Sequence, residues 1–275
     1  MKSSEILKSY GFSFNKGLGQ NFIFDLELLG AIVDEAHITK EDTVLEIGAG
    51  AGTLTKALSD KAKKVIAFEI DRNLIPVLEA SFKNIDNVQI VFKDFLRASK
   101  EEIIALCGDR FKVVANLPYY ITTPVIMALF DMFSTEVSSI SVMVQKEVAE
   151  RITAPAGDKE YSSVSATVQA RANVSITRIV PRTVFTPQPS VDSAMLYIQP
   201  DPDKFGEPIT KDILKFMRAA FQMRRKTLVN NIMTVYKLDR KTVEEAIVKS
   251  DLDFLCRGET LSVKDFLRLY HVLFG

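Results

Sequence analysis

Three glycines at alternate positions, Gly48, Gly50 and Gly52, follow the apolar run Thr43–Ile47 in this chain of 275 residues. Glycine lets the backbone turn sharply and come close to a ligand. A loop that follows a strand of an α/β sheet lies at the carboxyl edge of the sheet, where such folds bind cofactors. The spacing G-x-G-x-G differs from the dinucleotide fingerprint G-x-G-x-x-G. The pattern therefore predicts a cofactor loop of unusual spacing, and a purely structural tight turn is the alternative.

Two acidic residues end or follow the next two apolar runs. Glu69 stands 21 positions after Gly48, where a carboxylate can accept both hydroxyls of a ribose. Asp71 shares its strand parity and is the fallback candidate. Asp94 is placed to accept from the amino group of an adenine. The alternatives are a solvated acid at the end of a strand for Glu69 and a helix N-cap for Asp94.

The most specific short motif is Asn116-Leu117-Pro118-Tyr119, at the end of a fourth apolar run. The side-chain oxygen of Asn116 and a carbonyl held by Pro118 can accept the two hydrogens of an exocyclic amine. These acceptors would aim the nitrogen lone pair at an electrophile and favour the positive charge that develops during attack. The ring of Tyr119 offers a face on which a base can stack. A proline turn with a buried tyrosine is the alternative.

Short β-branched runs alternate with helical patterns over the first two-thirds of the chain, which predicts an α/β domain with right-handed βαβ connections. Five of these runs predict a doubly wound sheet. Two later runs, separated by a proline-rich connection, predict an antiparallel hairpin at the sheet edge. The predicted strands are Thr43–Ile47, Lys64–Glu69, Val88–Phe92, Lys112–Ala115 and Ser139–Val144, followed by Val174–Val180 and Ser193–Ile198.

Prolines and acidic residues around Pro200 mark a domain boundary. Beyond it, the apolar residues of 213–221 and of 263–274 recur at helical spacing. We therefore predict a catalytic domain over residues 1–200 and a small all-α domain over residues 201–275.

The total charge is neutral, with 35 basic and 35 acidic residues, but its distribution is uneven. The segment Lys211–Lys241, called here the basic run, contains nine basic residues and two acidic ones, a net charge of +7. Arg224, Arg225 and Lys226 are consecutive within it. Such a cluster is typical of a nucleic-acid contact, and an ordinary solvated helix face is the alternative.

Composition disfavours several classes of protein. Hydrophobic residues make up 47% of the chain, which is typical of a globular protein and not of a disordered one. Cys107 and Cys256 form neither a disulfide framework nor a CxxC motif, and no metal site is predicted. The uncharged stretch Val113–Phe130 contains Asn116 and two prolines, so a buried strand, turn and helix is favoured over a membrane span. The expected location is a reducing cytoplasm, with no membrane partner.

In chain order, these features resemble a known enzyme family over nearly the whole chain. That family is the ribosomal RNA adenine dimethyltransferases, most closely those that act on the small subunit. The motifs that carry the resemblance are Lys16-x-Leu18-Gly19-Gln20-Asn21-Phe22, the Glu46–Thr55 loop, Glu69, Asp94, Asn116–Tyr119, Gln145–Arg151 and Phe185-x-Pro187-x-Pro189-x-Val191-Asp-Ser193.

The resemblance implies a class I, Rossmann-like methyltransferase that uses S-adenosyl-L-methionine. Its catalytic domain would hold a mostly parallel seven-stranded sheet, with a small all-α domain behind it. The residues implied in cofactor binding are Asn21 and the backbone at Ile23 at the methionine end, Gly48 in its loop, Glu69 at the ribose, Asp94 at the adenine, and Asn116 between the cofactor and target sites.

The resemblance also implies a substrate. Family members convert two adjacent adenosines in a hairpin loop near the 3′ end of small-subunit RNA to N6,N6-dimethyladenosine, late in ribosome assembly. Asn116–Tyr119 would form the catalytic motif, and Tyr119 and Phe185 would hold the extruded base. Phe185 is equally a core residue on spacing alone. Arg224–Lys226 would follow the RNA backbone, the small ribosomal subunit would be the partner, and the protein would act as a monomer.

Two positions depart from the family pattern: Ala49 stands where proline is frequent, and Tyr161-Ser162 stands where Tyr-Gly is usual. Ala49 can keep the turn, whereas the effect of Ser162 on a loop near the RNA stays open. Three other functions also stay open: dimethylation of a large-subunit adenosine, a nonenzymatic RNA-binding or transcription-factor descendant, and an NAD-dependent oxidoreductase. The intact Asn116–Tyr119 motif weighs against the last two.

Overall fold

The computed structural model describes residues 19–133, 135–223 and 225–275. Lys16 and Leu18 of the first motif, and Arg224 of the basic run, lie outside the described residues. Within these ranges, no helix is both long and apolar enough to cross a membrane. The same residues contain no group of histidine, cysteine and acidic side chains that could hold a metal ion.

The chain folds into two compact units, each built from two stretches of sequence. The first contains the described residues up to Lys146 together with Ser175–Pro200. The second contains Glu147–Val174 together with Asp201–Gly275. One division falls at the predicted boundary, but Glu147–Val174 differs from the predicted assignment to the catalytic domain. This stretch belongs to the second unit because its apolar side chains pack into the same core cluster as the C-terminal helices.

A seven-stranded sheet forms the centre of the first unit. Its strands are, in chain order, β1 (Thr43–Ile47), β2 (Lys64–Glu69), β3 (Val88–Phe92), β4 (Phe111–Asn116), β5 (Val137–Gln145), β6 (Ala172–Val180) and β7 (Ser193–Pro200). They lie side by side in the order β3-β2-β1-β4-β5-β7-β6. Neighbours from β3 to β5 are parallel, and β7 is antiparallel to β5. The predicted mostly parallel α/β sheet is confirmed, and β3 and β6 are its two edge strands.

The order of the strands creates a crevice beside β1. Chain connections run from β1 towards β2 and β3 on one side, whereas β4 and β5 lie on the other side. In open α/β sheets, ligands bind outside the carboxyl ends of the strands where the order reverses in this way. Val44 and Leu45 in β1 and Ile66 in β2 are fully buried, as expected of parallel strands covered on both faces.

Helices connect these strands, and a short ribbon flanks the sheet. Asp25 caps the first helix by accepting from two backbone N–H groups, and Ser99 caps the fourth. The helices are α1 (Leu26–Glu35), α2 (Thr53–Lys61), α3 (Ile75–Phe82), α4 (Lys100–Cys107) and α5 (Tyr119–Met132). Phe22–Ile23 pairs antiparallel with Phe185–Thr186. The uncharged stretch Val113–Phe130 runs from β4 into α5, as the predicted strand, turn and helix.

The second unit is helical, around a core that includes Phe216, Met217 and Phe266, all fully buried. The chain enters it through α6, and the helices are α6 (Lys146–Thr153), α7 (Ser163–Gln169), α8 (Lys211–Ala220), α9 (Leu228–Tyr236), α10 (Arg240–Lys249) and α11 (Val263–Phe274). Ser162 forms a reciprocal capping box with Ser165 at the start of α7. Its φ of −148° needs no glycine, so serine at this position gives the helix a cap.

Candidate active site

A cavity of about 290 Å³ opens at the carboxyl ends of β1, β2, β3 and β4. The loops that follow these four strands line it, together with residues 20–23. The structure therefore brings the six residues predicted to bind the cofactor to one place: Asn21, Ile23, Gly48, Glu69, Asp94 and Asn116. Leu117 and Pro118 are also on the lining, whereas Tyr119 and Phe185 are not among the described residues that form it.

The glycine loop after β1 needs glycine at each alternate position. Gly48, Gly50 and Gly52 have φ angles of 81°, 55° and 76°, in the left-handed region that disfavours other residues. A side chain at Gly50 would also come within 2.7 Å of the Phe22 ring. These demands explain the spacing G-x-G-x-G. The loop is thus a tight turn that also lines the cavity, so its two interpretations are compatible.

Glu69 is held rigidly at the end of β2. Its carboxylate accepts from the backbone N–H of Gly50 at 2.7 Å, of Ile70 at 2.8 Å and of Asp71 at 2.7 Å. Burial raises the pKa of Glu69, and these three N–H groups partly offset the rise. The side chain of Asp71, the fallback candidate, is turned to other partners and is not on the lining. Of these two acids, Glu69 is therefore the one on the cavity lining.

Asp94 both caps a short helix and lines the cavity, which are the two roles that its sequence context suggested. Its Oδ1 accepts from the backbone N–H of Leu96 at 3.0 Å and caps the short 3-10 helix Phe95–Arg97. Its Oδ2 lies 3.5 Å from the Nε of Arg97, a side chain that is largely exposed. Because the cap uses one oxygen, the carboxylate retains acceptor capacity towards the cavity that it lines.

The Asn116–Tyr119 motif joins β4 to α5. Asn116 donates from Nδ2 to the carbonyl of Asn21 at 3.2 Å, which leaves its Oδ1 as an acceptor. The Pro118 carbonyl already accepts from the Ile121 N–H and from the Thr122 hydroxyl. The carbonyl of Leu117, which immediately precedes the proline ring, is therefore the better second acceptor for an amine.

The aromatic residues predicted to hold a base lie apart from the cavity lining. The Tyr119 hydroxyl is 2.8 Å from the Oγ of Ser193, at the start of β7, and burial raises the Tyr119 pKa. Phe185 is only 4% exposed and packs in the core cluster of the first unit, which is its alternative role. The next residue after Tyr119, Tyr120, lines the cavity and is 62% exposed.

Arg225 and Lys226 belong to the second unit. Both are exposed between α8 and α9. Asn231, 1% exposed, fixes the turn beside them by donating to the carbonyl of Ala220 at 2.9 Å and accepting from the N–H of Met223 at 3.0 Å. The turn therefore presents these cations to solvent from a braced backbone.

Glu46 is the functional candidate that the sequence interpretation missed. It lies in β1, lines the cavity and is fully buried, yet neither carboxylate oxygen has a hydrogen-bond partner among the residues that the structure describes. Burial raises the pKa of Glu46 to about 8. The nearby Thr55 hydroxyl lowers the pKa in part, although its geometry falls short of a hydrogen bond, and the charge of Glu69 raises it. The available signal was an acid inside an otherwise apolar strand.

The raised pKa of Glu46 predicts a particular dependence of stability on pH. A carboxyl whose pKa is raised on folding stabilises the fold at low pH, and this contribution is lost as pH rises from 4.5 to about 8. Glu46→Gln, neutral throughout, should remove that decline. We expect the variant to gain stability over the wild type by on the order of 3 kcal/mol between pH 4.5 and pH 8. Urea unfolding of the ligand-free protein at several pH values measures this.

The matched control is Glu27→Gln, an exposed acid in α1 of the same unit. It should keep the pH dependence of the wild type. A decline of equal size in Glu46→Gln and in the wild type would contradict the assignment of the raised pKa to Glu46.

Comparison with known proteins decides the family. A sequence model described as ribosomal RNA adenine dimethylase matches residues 11–273. The chain belongs to the ribosomal RNA adenine dimethylase family. A relative in Bacillus pumilus, named ribosomal RNA small subunit methyltransferase A, is 45% identical over 99% of this chain and 96% of its own. A second, in Enterococcus faecalis and of the same name, is 44% identical over 99% of this chain and 94% of its own.

Two solved structures share the fold of this chain. A dimethyladenosine transferase from Plasmodium falciparum is 27% identical, with a TM-score of 0.75, over 91% of this chain and 96% of its own. The 23S rRNA methyltransferase ErmE has a TM-score of 0.68 at 23% identity, over 92% of this chain and 99% of its own, and supports the fold alone. The resemblance that the motifs carried is confirmed, and an NAD-dependent oxidoreductase is excluded.

S-adenosyl-L-methionine is the methyl donor of the dimethylase family, and the residues of the cavity fit it. Glu46, a buried carboxyl group with no hydrogen-bond partner in the described part of the chain, favours a cationic ligand. Glu69 and Asp94 are acceptors for a ribose and for an amino group. Ile70 and Leu96 are exposed apolar side chains that line the same cavity and can cover a flat ring.

Proposed function

We propose that the protein methylates the N6 amines of two adjacent adenosines in the 3′-terminal hairpin loop of small-subunit (16S) ribosomal RNA, giving N6,N6-dimethyladenosine. The methyl donor is S-adenosyl-L-methionine, and the setting is late assembly of the small subunit in the cytoplasm, with the protein acting as a monomer. The observation that carries the proposal is the cavity in which the Asn116 motif meets the Glu69 loop, in a chain of the dimethylase family.

The cavity residues divide the work of holding the cofactor. Glu69, fixed by three backbone N–H groups, accepts from the ribose hydroxyls. Asp94 accepts from the adenine amino group, and Asn21 and the backbone at Ile23 contact the methionine end beside Gly48. Glu46, mainly protonated at neutral pH in the ligand-free protein, would be favoured in its ionised form by a cationic group bound beside it. When bound, S-adenosyl-L-methionine supplies a methyl group already activated by its sulfonium.

The Asn116 motif then orients the nucleophile. The Oδ1 of Asn116 and the Leu117 carbonyl accept the two hydrogens of the adenine amine, which aims the nitrogen lone pair at the methyl group. The same acceptors stabilise the positive charge that grows on the nitrogen. Positioning and electrostatics supply most of the acceleration, because no proton has to leave before attack. A base in a loop leaves its stack at a cost of a few kcal/mol.

Tyr119 and Phe185 have different roles in the proposal. Tyr119 stacks on the extruded base, and its hydrogen bond to Ser193 fixes the ring. Phe185 is nearly buried, so its contribution comes through the ribbon that pairs it with Ile23. The two residues together would keep the base in the plane that the Asn116 motif requires.

The basic run supplies the RNA backbone contact of Arg224, Arg225 and Lys226. Replacing Arg225 and Lys226 together by glutamine should weaken RNA binding, because exposed cations on a braced turn pair with phosphates. The slope of log affinity against log salt should flatten by about 0.7 to 0.9 for each phosphate that the variant no longer neutralises. Filter binding to small-subunit RNA over a salt series measures the slope.

Lys264→Gln, in the same unit but outside the basic run, is the control and should keep the slope of the wild type. Lys264 is exposed on α11. An unchanged slope in the double variant would remove Arg225 and Lys226 from the RNA contact.

The proposed activity is tested with labelled S-adenosyl-L-methionine and three substrates: under-methylated small subunits, large subunits and free RNA. We expect label on the RNA of small subunits. Label on large-subunit RNA alone would transfer the protein to the other branch of the family. An absence of label on all three would favour a nonenzymatic RNA-binding role.

A further inference from the structure

The segment Gly19–Ile23 contributes residues 20–23 to the cavity lining and is held by two kinds of contact. Phe22 and Ile23 are buried, at 6% and 1% exposure, and pair with Phe185–Thr186. Gly19, Gln20 and Asn21 are only partly buried. The C-terminal end of the segment is thus anchored in the core, while its first residues depend on side-chain hydrogen bonds.

Two hydrogen bonds tie the segment to elements on either side of β1. The Nε2 of Gln20 donates to the Oδ2 of Asp71 at 2.9 Å, across 51 positions of sequence. The Nδ2 of Asn116 donates to the carbonyl of Asn21 at 3.2 Å, across 95 positions. The first bond reaches the loop after β2, and the second reaches the end of β4.

The Asp71 carboxylate serves two purposes with separate oxygens. Its Oδ1 accepts from the backbone N–H and the Nδ2 of Asn73, which caps the short helix Arg72–Leu74. Its Oδ2 accepts from Gln20. Asp71 is 5% exposed, and its backbone N–H donates to Glu69. A helix cap alone would require one oxygen, so the second oxygen is available to hold the segment.

We propose that Gln20 is a positioning residue that keeps the Gly19–Ile23 segment closed over the bound cofactor through Asp71. The proposal rests on the proposed function, since it assigns the methionine end to Asn21 and the ribose to Glu69. The Gln20–Asp71 hydrogen bond joins the protein elements at these two ends. A ligand that contacts both elements can leave only after the bond has opened, so the bond slows release.

The test is a double-mutant cycle of Gln20→Ala and Asp71→Ala, read out with S-adenosyl-L-methionine and S-adenosylhomocysteine. A hydrogen bond to a charged acceptor is worth enough to change an affinity by about 10-fold or more. We expect Gln20→Ala to raise the dissociation rate of labelled S-adenosyl-L-methionine by about that factor. The methyl-transfer rate at saturating cofactor should stay within about 3-fold of the wild-type rate, because Gln20 is not assigned to the reacting atoms. A purely structural role would lower the urea stability of the ligand-free protein and leave the dissociation rate unchanged.

The cycle should show coupling, with the double variant no worse than Asp71→Ala alone. Asn73→Ala is the matched control, because it removes a donor to the same carboxylate without touching Gln20. It should leave the dissociation rate unchanged. A dissociation rate of Gln20→Ala equal to that of the wild type, or additive effects of the two substitutions, would overturn the proposal. A wild-type protein that binds neither ligand would instead overturn the proposed function, and this inference with it.

Discussion

Asn116→Ala is expected to lower the rate of methyl transfer at saturating substrate by about 10²- to 10³-fold. This is the usual cost of removing one group that stabilises developing charge in a transition state. The Oδ1 of Asn116 is the side-chain acceptor of the motif, since its Nδ2 is committed to the Asn21 carbonyl. The variant also loses that bond, so cofactor affinity should fall by about 10-fold. Single-turnover transfer to small subunits measures the rate, and calorimetry measures the affinity.

One further variant separates the functions of the Asn116 amide, and a second serves as its control. Asn116→Asp keeps acceptor oxygens but cannot donate to the Asn21 carbonyl, so it should retain more methyl transfer than Asn116→Ala. Asn173→Ala, an exposed amide on β6, should behave as the wild type. Methyl transfer by Asn116→Ala within a few-fold of the wild-type rate would contradict the assigned role.

Glu69→Gln is expected to weaken the binding of S-adenosyl-L-methionine by about 100-fold or more. Hydrogen bonds to a charged group contribute about 1.5 to 3 kcal/mol each, and a ribose offers two. Both oxygens of Glu69 already accept from backbone N–H groups. In glutamine, an NH2 donor replaces one of these oxygens. This donor would face a backbone N–H group of the cavity wall, and the hydrogen bond between them would be lost. Calorimetric titration with S-adenosylhomocysteine measures the loss.

Comparison with other acids gives this result its meaning. Glu79→Gln, an exposed acid in α3, should bind as the wild type does. Asp71→Ala should cost less than Glu69→Gln, because Asp71 acts on the segment above the ligand and not on the ribose. An affinity loss larger for Asp71→Ala than for Glu69→Gln would restore Asp71 as the ribose acceptor.

Most of the sheet was accessible from the sequence because the parallel strands β1, β2, β4 and β5 are largely buried and appear as mainly apolar, β-branched runs. All seven predicted runs overlap observed strands. The ribbon of Phe22–Ile23 and Phe185–Thr186 has two residues on each side, too few to show a period. The placement of Glu147–Val174 was also missed, because helical periodicity identifies an apolar face but not the core into which it packs.

The position of a residue on the cavity lining was predictable where one backbone or strand-end geometry requires that residue type. Gly48 and Glu69 fall into this class, since a left-handed turn and a strand-end acid each leave a distinct spacing. Glu46 was missed although it is an acid inside an apolar strand, because only the structure shows that its carboxyl group is buried with no hydrogen-bond partner among residues 19–133, 135–223 and 225–275. Tyr120 lines the cavity and Tyr119 does not, and the sequence pattern does not distinguish these two neighbouring residues.

The most direct test of the proposed function is nucleoside analysis of small-subunit RNA after reaction with the protein and S-adenosyl-L-methionine. We expect two N6,N6-dimethyladenosines per subunit, at adjacent positions of the 3′-terminal hairpin loop. With Asn116→Ala, we expect neither adenosine to be dimethylated within the same reaction time. A methylated product at another atom, or at an adenosine of the large subunit, would contradict the proposed function.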